Sequence, residues 1–238
     1  MGIAGGTAFL DMYATQPLLP ELRVAFGGAN EATVAATVSS LSFGVALAAP
    51  LIGPLADRIG RKRVIVSAIF TLAIVTFFAA QAHTLAELIA WRFVHGLAMP
   101  GIFAVTLAYI AEEFPSAVGG RAIGAYICGN VVGGFLGRYI SAFVAARADW
   151  HAAFVALGAL NVAGGIGVLS LMPSAQNFRA RAASANAFAA LGGFLRSPAT
   201  LAVYGVGAAV LFTLVAAFTF ATFHLAAAPY SRRSPASP

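Results

Sequence analysis

Chemistry in this sequence rests on very few side chains. Its 238 residues include eight carboxylates, fourteen lysines and arginines and four histidines, against 60% hydrophobic residues. Three ionisable groups fall inside apolar runs. Asp11 stands about ten residues into the first run, Arg92 about six residues into the fourth, and His95 one turn beyond Arg92. A charge in the middle of such a run costs about 2.5–3.5 kcal/mol on insertion scales, so each is a functional candidate by default. Burial favours the neutral form of a carboxyl group, which suits Asp11 to taking up and releasing a proton; the alternative is a carboxylate solvated in a wet vestibule. Arg92 cannot shed its charge and could hold an anion or a carboxylate such as Asp11, unless it lies near the interface and reaches headgroups by snorkelling. His95 reads as a hydrogen-bonded packing residue before it reads as a proton relay.

Other constellations point to packing. Gly129, Gly133 and Gly137 recur every four residues in the fifth run, a spacing that makes a groove for a close helix neighbour. Tyr126 and Asn130 flank that groove and could line a cavity. Arg138, later in the same run, reads as a snorkelling or interhelical pairing residue. Glu112 and Glu113 precede Pro115 in a polar turn, where a solvated role or a pairing with Arg121 is expected. The single cysteine, Cys128, allows neither an internal disulfide nor a cysteine metal site, and the four histidines are scattered. No nucleotide loop, HExxH or GxSxG string occurs, so neither an enzyme nor a cofactor is expected.

These residues need elements to hold them, and the composition says in what solvent. Only 9% of residues are charged and the mean hydropathy is +0.87, whereas a soluble domain carries about 25% charged residues. The expected class is an all-α, polytopic transmembrane bundle. Seven stretches are long enough to span: about 1–20, 33–55, 64–82, 86–111, 122–146, 152–172 and 199–224. Turns after the second, fourth and sixth hold eight basic residues (Arg58, Arg61, Lys62, Arg63, Arg121, Arg179, Arg181, Arg196). Those after the first, third and fifth hold two, Arg23 and Arg147. The positive-inside rule therefore places the amino terminus in the cytoplasm and Trp150 in an outer aromatic belt. Because the basic residues sit in short turns with no continuous basic face, the net charge of +6 does not point to nucleic acid.

The most ordered string is Gly53-Pro54-Leu55-Ala56-Asp57-Arg58-Ile59-Gly60-Arg61-Lys62-Arg63. Gly53 is expected to permit close helix approach, Gly60 to supply a sharp turn, and Asp57 to sit at the start of the third span. This string resembles the loop signature of the major facilitator superfamily. Leu88-Ile89-Ala90-Trp91-Arg92-Phe93-Val94-His95-Gly96 resembles the helix-4 motif of that family's drug/proton antiporter branch, with His95 in place of a glutamine. Asp11-Met12-Tyr13-Ala14-Thr15-Gln16-Pro17-Leu18-Leu19-Pro20 resembles its helix-1 motif. Gly129-Asn130-Val131-Val132-Gly133-Gly134 is close to its helix-5 motif, with Asn130 in the place of a proline.

The resemblance implies an amino-terminal six-helix half (1–172), a cytoplasmic linker (173–198) whose middle, 182–194, could form a surface helix, and a seventh helix (199–224). It also implies a secondary transporter of a small organic molecule, proton-coupled, working by alternating access in the cell membrane. Asp11, Tyr13, Gln16, Arg92, His95, Tyr126 and Asn130 become substrate or proton-pathway candidates. Gly53, Asp57, Arg58, Gly60, Arg61 and Lys62 would form a conformational-switch loop, and Gly129, Gly133, Gly134 and Gly137 the helix packing. Residues 225–238, a Ser/Pro run with two arginines on the outer side, look non-native, and a carboxy-terminal half would be the missing partner.

Overall fold

Prolines decide how the first apolar run folds. The computed structural model describes residues 1–173 and 197–226; the expected surface helix at 182–194 and most of the 225–238 tail lie outside them. Gly2–Ala14 is helix α1, Gln16–Leu18 a single 3-10 turn, and Leu19–Ala25 helix α2. Pro17 and Pro20 have no N–H to give to a helix ladder, and each opens one of the new short elements. The single 1–20 span expected from hydropathy is thus a 13-residue helix with two short continuations.

Among the described residues, six helical stretches are long and apolar enough to cross a membrane on their own. They are α3 (Glu31–Ile59), α4 (Arg61–Ala79), the pair α5 (Leu85–Ala98) and α6 (Pro100–Glu113), α7 (Ser116–Ala145), α8 (Trp150–Leu171) and α9 (Pro198–Ala226). α5 and α6 make one 29-residue stretch, divided where Pro100 lacks its donor. The starts are capped as the sequence dictates. Asn30 accepts from Ala32 N at 2.9 Å, Asp149 from Ala152 N at 2.8 Å, and Thr84 from Glu87 N at 3.1 Å. Glu87, three residues past Thr84, reaches back to His83 N at 2.9 Å, close to a capping box.

Small residues bring the helices together. α1 packs along α7, where a Cβ on Gly129, Gly133 or Gly137 would run into the backbone of Gly2, Gly6 or Leu10. α3 meets α5 through Gly44 and Gly96, each of which faces the other helix's backbone. Without a water-driven force between helices in lipid, such backbone-to-backbone approach supplies the association through dispersion. Gly53, by contrast, meets none of the described residues within 4 Å of a built Cβ, so the expected close approach is not found among them. Two large cores follow, one around Leu18, Leu22, Trp150 and Phe154, the other around Ile65, Leu72, Met99 and Tyr109, with a small third at Ile110, Ala122 and Tyr126.

Trp150, the first residue of α8, is 4% exposed and packs against Phe26 and Phe154. Glu21 of α2 accepts from Trp150 N at 2.9 Å, tying the end of the first run to the start of α8. Burial pushes the Glu21 carboxyl above its ordinary value, an effect opposed by that backbone donor. α9 has a largely exposed surface, touches the rest through α2, the 3-10 turn and Arg138 of α7, and lines a cleft with α3.

Candidate functional site

Asp11, Arg92 and His95 lie 81 and 84 positions apart in sequence and meet in one buried cluster. Asp11 and Arg92 are fully buried and His95 is 1% exposed. Asp11 projects from α1 toward α4, α5 and α8. Its Oδ2 accepts from Thr76 Oγ1 at 3.1 Å and from the Asn161 side-chain amide, and it lies 3.7 Å from His95 Nε2. Its Oδ1 has no hydrogen-bond partner among the described residues.

Arg92 does not snorkel. Its guanidinium donates to main-chain carbonyls, from Nη2 to Asp11 O at 3.2 Å and from Nε to Thr37 O at 3.4 Å, with Met12 O at 3.5 Å. It clamps the backbone that carries Asp11 while supplying positive charge beside the carboxylate, in a setting where charge–charge interaction is little screened. Gly96 explains the fit: only a glycine there lets α5 approach α3 closely enough for Arg92 to reach Thr37 O. The arrangement holds an ionisable carboxyl group, an imidazole and a permanent cation away from solvent, which is the equipment for holding and passing a proton.

The turn between α3 and α4 builds a second assembly. Asp57 sits in the last turn of α3 rather than at the start of the next helix. Gly60 (φ +98°) makes the turn, a conformation that favours glycine. Arg61 donates to Asp57 Oδ1 at 3.2 Å and grips Glu112 at the end of α6 through Nε and Nη2. Glu112 thus pairs with Arg61, a partner the sequence reading did not name. Lys62 donates to Met172 O at the end of α8, and Tyr109 Oη donates to Pro173 O at 2.9 Å. Arg58 is exposed. One turn therefore ties together the same-side ends of four helices.

The family model described as Major Facilitator Superfamily matches residues 1–231. The chain belongs to the major facilitator superfamily. An "Uncharacterized transporter" of Buchnera aphidicola (subsp. Schizaphis graminum) is 31% identical over 96% of the chain and 55% of that protein. "Inner membrane transport protein YnfM" of Escherichia coli is 33% identical over 74% of the chain and 42% of its own length. The solved proton:xylose symporter XylE superposes with a TM-score of 0.61 at 15% identity, over 94% of this chain and 52% of that one, a likeness of fold. The chain spans about half the length of the curated relatives it matches. This is a multi-pass membrane protein of a transporter family, not an enzyme.

For a major facilitator chain, the remaining candidates fall in two places. Tyr13 and Gln16 face α7 and α9: Arg138 lies over the Tyr13 ring at 4.2 Å and donates from Nε to Gln16 Oε1 at 3.0 Å. Arg138 is thus an interhelical pairing residue. Tyr126 is buried near the start of α1 and donates to Phe103 O at 3.4 Å. Asn130 sits at the α1–α7 contact, where its amide nitrogen reaches Gly5 O at 3.3 Å and Tyr126 O at 3.1 Å. Gly134 contacts the Tyr13 ring edge at 3.4 Å. None of these four touches the Asp11 cluster.

Sequence reading missed Asn161, Thr76 and Thr37, all buried. Asn161 is the one side-chain amide in the 152–172 run, whose other polar side chain is Ser170, and that was its available signal. Thr76 and Thr37 have none, since a threonine in a span ordinarily bonds its own helix, as both do here.

Proposed function

We propose that this chain is the amino-terminal six-helix half (1–172), with a linker (173–198) and one further helix (199–224), of a proton-coupled efflux transporter of the drug/proton antiporter branch. In this reading Asp11 takes up and releases the coupling proton, His95 stands next to it on the proton path, and Arg92 holds the protein around it. The observation that carries the proposal is the fully buried Asp11 carboxyl, met by groups from α4, α5 and α8. A carboxyl group so enclosed in a membrane span is a functional candidate by default.

The Asp57–Arg61–Glu112 assembly supports a switch role for the α3–α4 turn, because it joins helix ends that must move together when two halves rock about a midplane site. The cation excess in the turns supports a cytoplasmic amino terminus, and the name of the Escherichia coli relative supports the inner membrane. Asn130 stands where the antiporter motif has proline, so substrate direction is a matter for the flux assay.

That assay measures proton and substrate flux in sealed vesicles. Asp11→Asn is expected to abolish proton coupling, and Arg92→Ala to abolish flux. Coupled flux unchanged by Asp11→Asn would overturn the reading. A second reading, a folded but transport-inactive portion, is favoured by the chain's coverage of about half of its relatives; folded protein without flux would support it.

A further inference from the structure

A buried carboxylate draws the donors within its reach, because charge is little screened inside the bundle. Around Asp11 the donors are turned elsewhere. The charged or titratable groups that face it among the described residues are Arg92 and His95, both from α5. Arg92 gives Nη2 and Nε to the main-chain carbonyls of Asp11, Met12 and Thr37, and its Nη1 has no partner among the described residues. No ion pair among those residues joins it to the Asp11 carboxyl. His95 Nε2 stands 3.7 Å from Oδ2, outside hydrogen-bond range. From the other helices, α4 presents Thr76 and α8 presents Asn161. Arg138 of α7 lies over the Tyr13 ring, and Tyr109, Glu112 and Glu113 occupy the far end of α6.

Two oxygens in this cluster have no donor. Asp11 Oδ1 and Asn161 Oδ1 are without hydrogen-bond partners among the described residues, and both residues are fully buried. They belong to groups already in contact, since the Asn161 amide nitrogen donates to Asp11 Oδ2. An ionised carboxyl offers only acceptors, so the cluster is one hydrogen short. A neutral acid has a donor and an acceptor side by side, and a primary amide has the complementary pair. Asn161 is the only side-chain amide in α8. One proton on Oδ1 serves both orphaned oxygens, and it removes the cost of a buried charge without an ion partner.

We propose that Asn161 is the positioning residue that holds Asp11 in its proton-loaded form, as an acid–amide pair. Asp11 Oδ1–H donates to Asn161 Oδ1 while Asn161 Nδ2 donates to Asp11 Oδ2, and the described arrangement is this loaded state. The Nδ2 bond serves either form of the carboxyl; the second bond exists only with the proton in place. This deepens the proton assignment of the proposed transporter, and rests on it only for the claim that the held proton is coupled to transport.

The test is infrared difference spectroscopy on the purified full chain in lipid nanodiscs at about pH 6, well above the ordinary aspartate value of about 3.9. The unaltered chain is expected to show a protonated-carboxyl carbonyl band that Asp11→Asn removes. Thr76→Val, which takes one donor from Oδ2, should move that band to higher frequency. Asn161→Leu, which takes both bonds of the pair, should move it further, and Asn161→Gln should restore part of the shift. A merely structural Asn161 would change the melting temperature and leave the band in place. Absence of the band from the folded, unaltered chain would overturn the pairing without any variant. So would a shift in Asn161→Leu no larger than in Thr76→Val; Asn161→Ala gives the same comparison where the leucine variant does not fold. If Asp11→Asn leaves proton coupling intact while these shifts appear, the coupling assignment falls and the pairing stands. Coupling lost in Asp11→Asn without the shifts overturns the pairing alone.

Discussion

Asn161 of α8 donates its side-chain amide to the Asp11 carboxylate of α1, the same oxygen that accepts from Thr76 of α4. Three helices distant in sequence thus converge on one atom. Removing a donor from a buried carboxylate costs about 1–3 kcal/mol. Asn161→Ala and Thr76→Val are each expected to lower stability by that order, measured as thermal unfolding in detergent. Because both donors serve Oδ2, the double variant should depart from the sum of the singles by at least about 0.5 kcal/mol. Simple additivity would show that the two donors act independently.

Two glycines predict opposite outcomes. Gly137 abuts the Leu10 backbone, whereas Gly53 has open space around it within the helical α3. Gly137→Ala is expected to push α1 off α7 and destabilise by about 1–3 kcal/mol. Gly53→Ala should be neutral or stabilise by up to about 1 kcal/mol through helix propensity. Recovery of monodisperse protein by size-exclusion chromatography, followed by thermal unfolding, separates the two.

Arg61 engages Glu112 with two donors and Asp57 with one of them. A lysine keeps the charge but not the fork. Arg61→Lys is therefore expected to loosen the α4–α6 end contact. With the carboxylates 40% exposed, the stability cost should stay near 1 kcal/mol. The sharper readout is faster labelling of a cysteine placed at the buried Ala56, next to Asp57 in α3. Labelling unchanged from the parent would mean that the ion pair does not hold the end closed.

Glu21 supplies a pH prediction. Burial raises its carboxyl above the ordinary glutamate value, about 4.3, so the folded chain holds this proton more tightly than the unfolded one. The contribution to stability is full below the unfolded value and is lost as pH rises through the raised folded value. Glu21→Gln is expected to flatten this part of the profile of melting temperature against pH, from just below the ordinary value upward. A profile identical to the parent's would assign the dependence to another group.

The helices and their solvent could be read from the chain alone. Long apolar runs with few charges leave no alternative to helices in lipid, because each backbone N–H and C=O must be satisfied within its own segment. Turn chemistry was equally local: Asn30, Thr84 and Asp149 cap helices, and Gly60 takes the positive φ its position needs. The glycine period in α7 announced a close neighbour, and two ordered motifs brought Asp11 and Arg92 forward. Where proline acts on its own helix, sequence also carries the reason why the first run breaks at Pro17 and Pro20.

Tertiary structure decided which groups meet. Hydropathy measures a residue's cost in lipid and carries no direction, so it could not say that Arg92 turns inward to backbone carbonyls, or that Trp150 packs into the core. Nor could it pair Arg61 with Glu112, 51 positions away, or set Arg138 over the Tyr13 ring. Asn161 carries a weak polar signal in its own span and Thr76 none, and both gain a role only when α4 and α8 close around α1. Hydrogen bonds and charge pairs between helices depend on rotation about each helix axis. That rotation is set by which small residues face each other, as Gly137 faces Leu10 and Gly96 faces Leu41, a relationship between segments that no single segment contains.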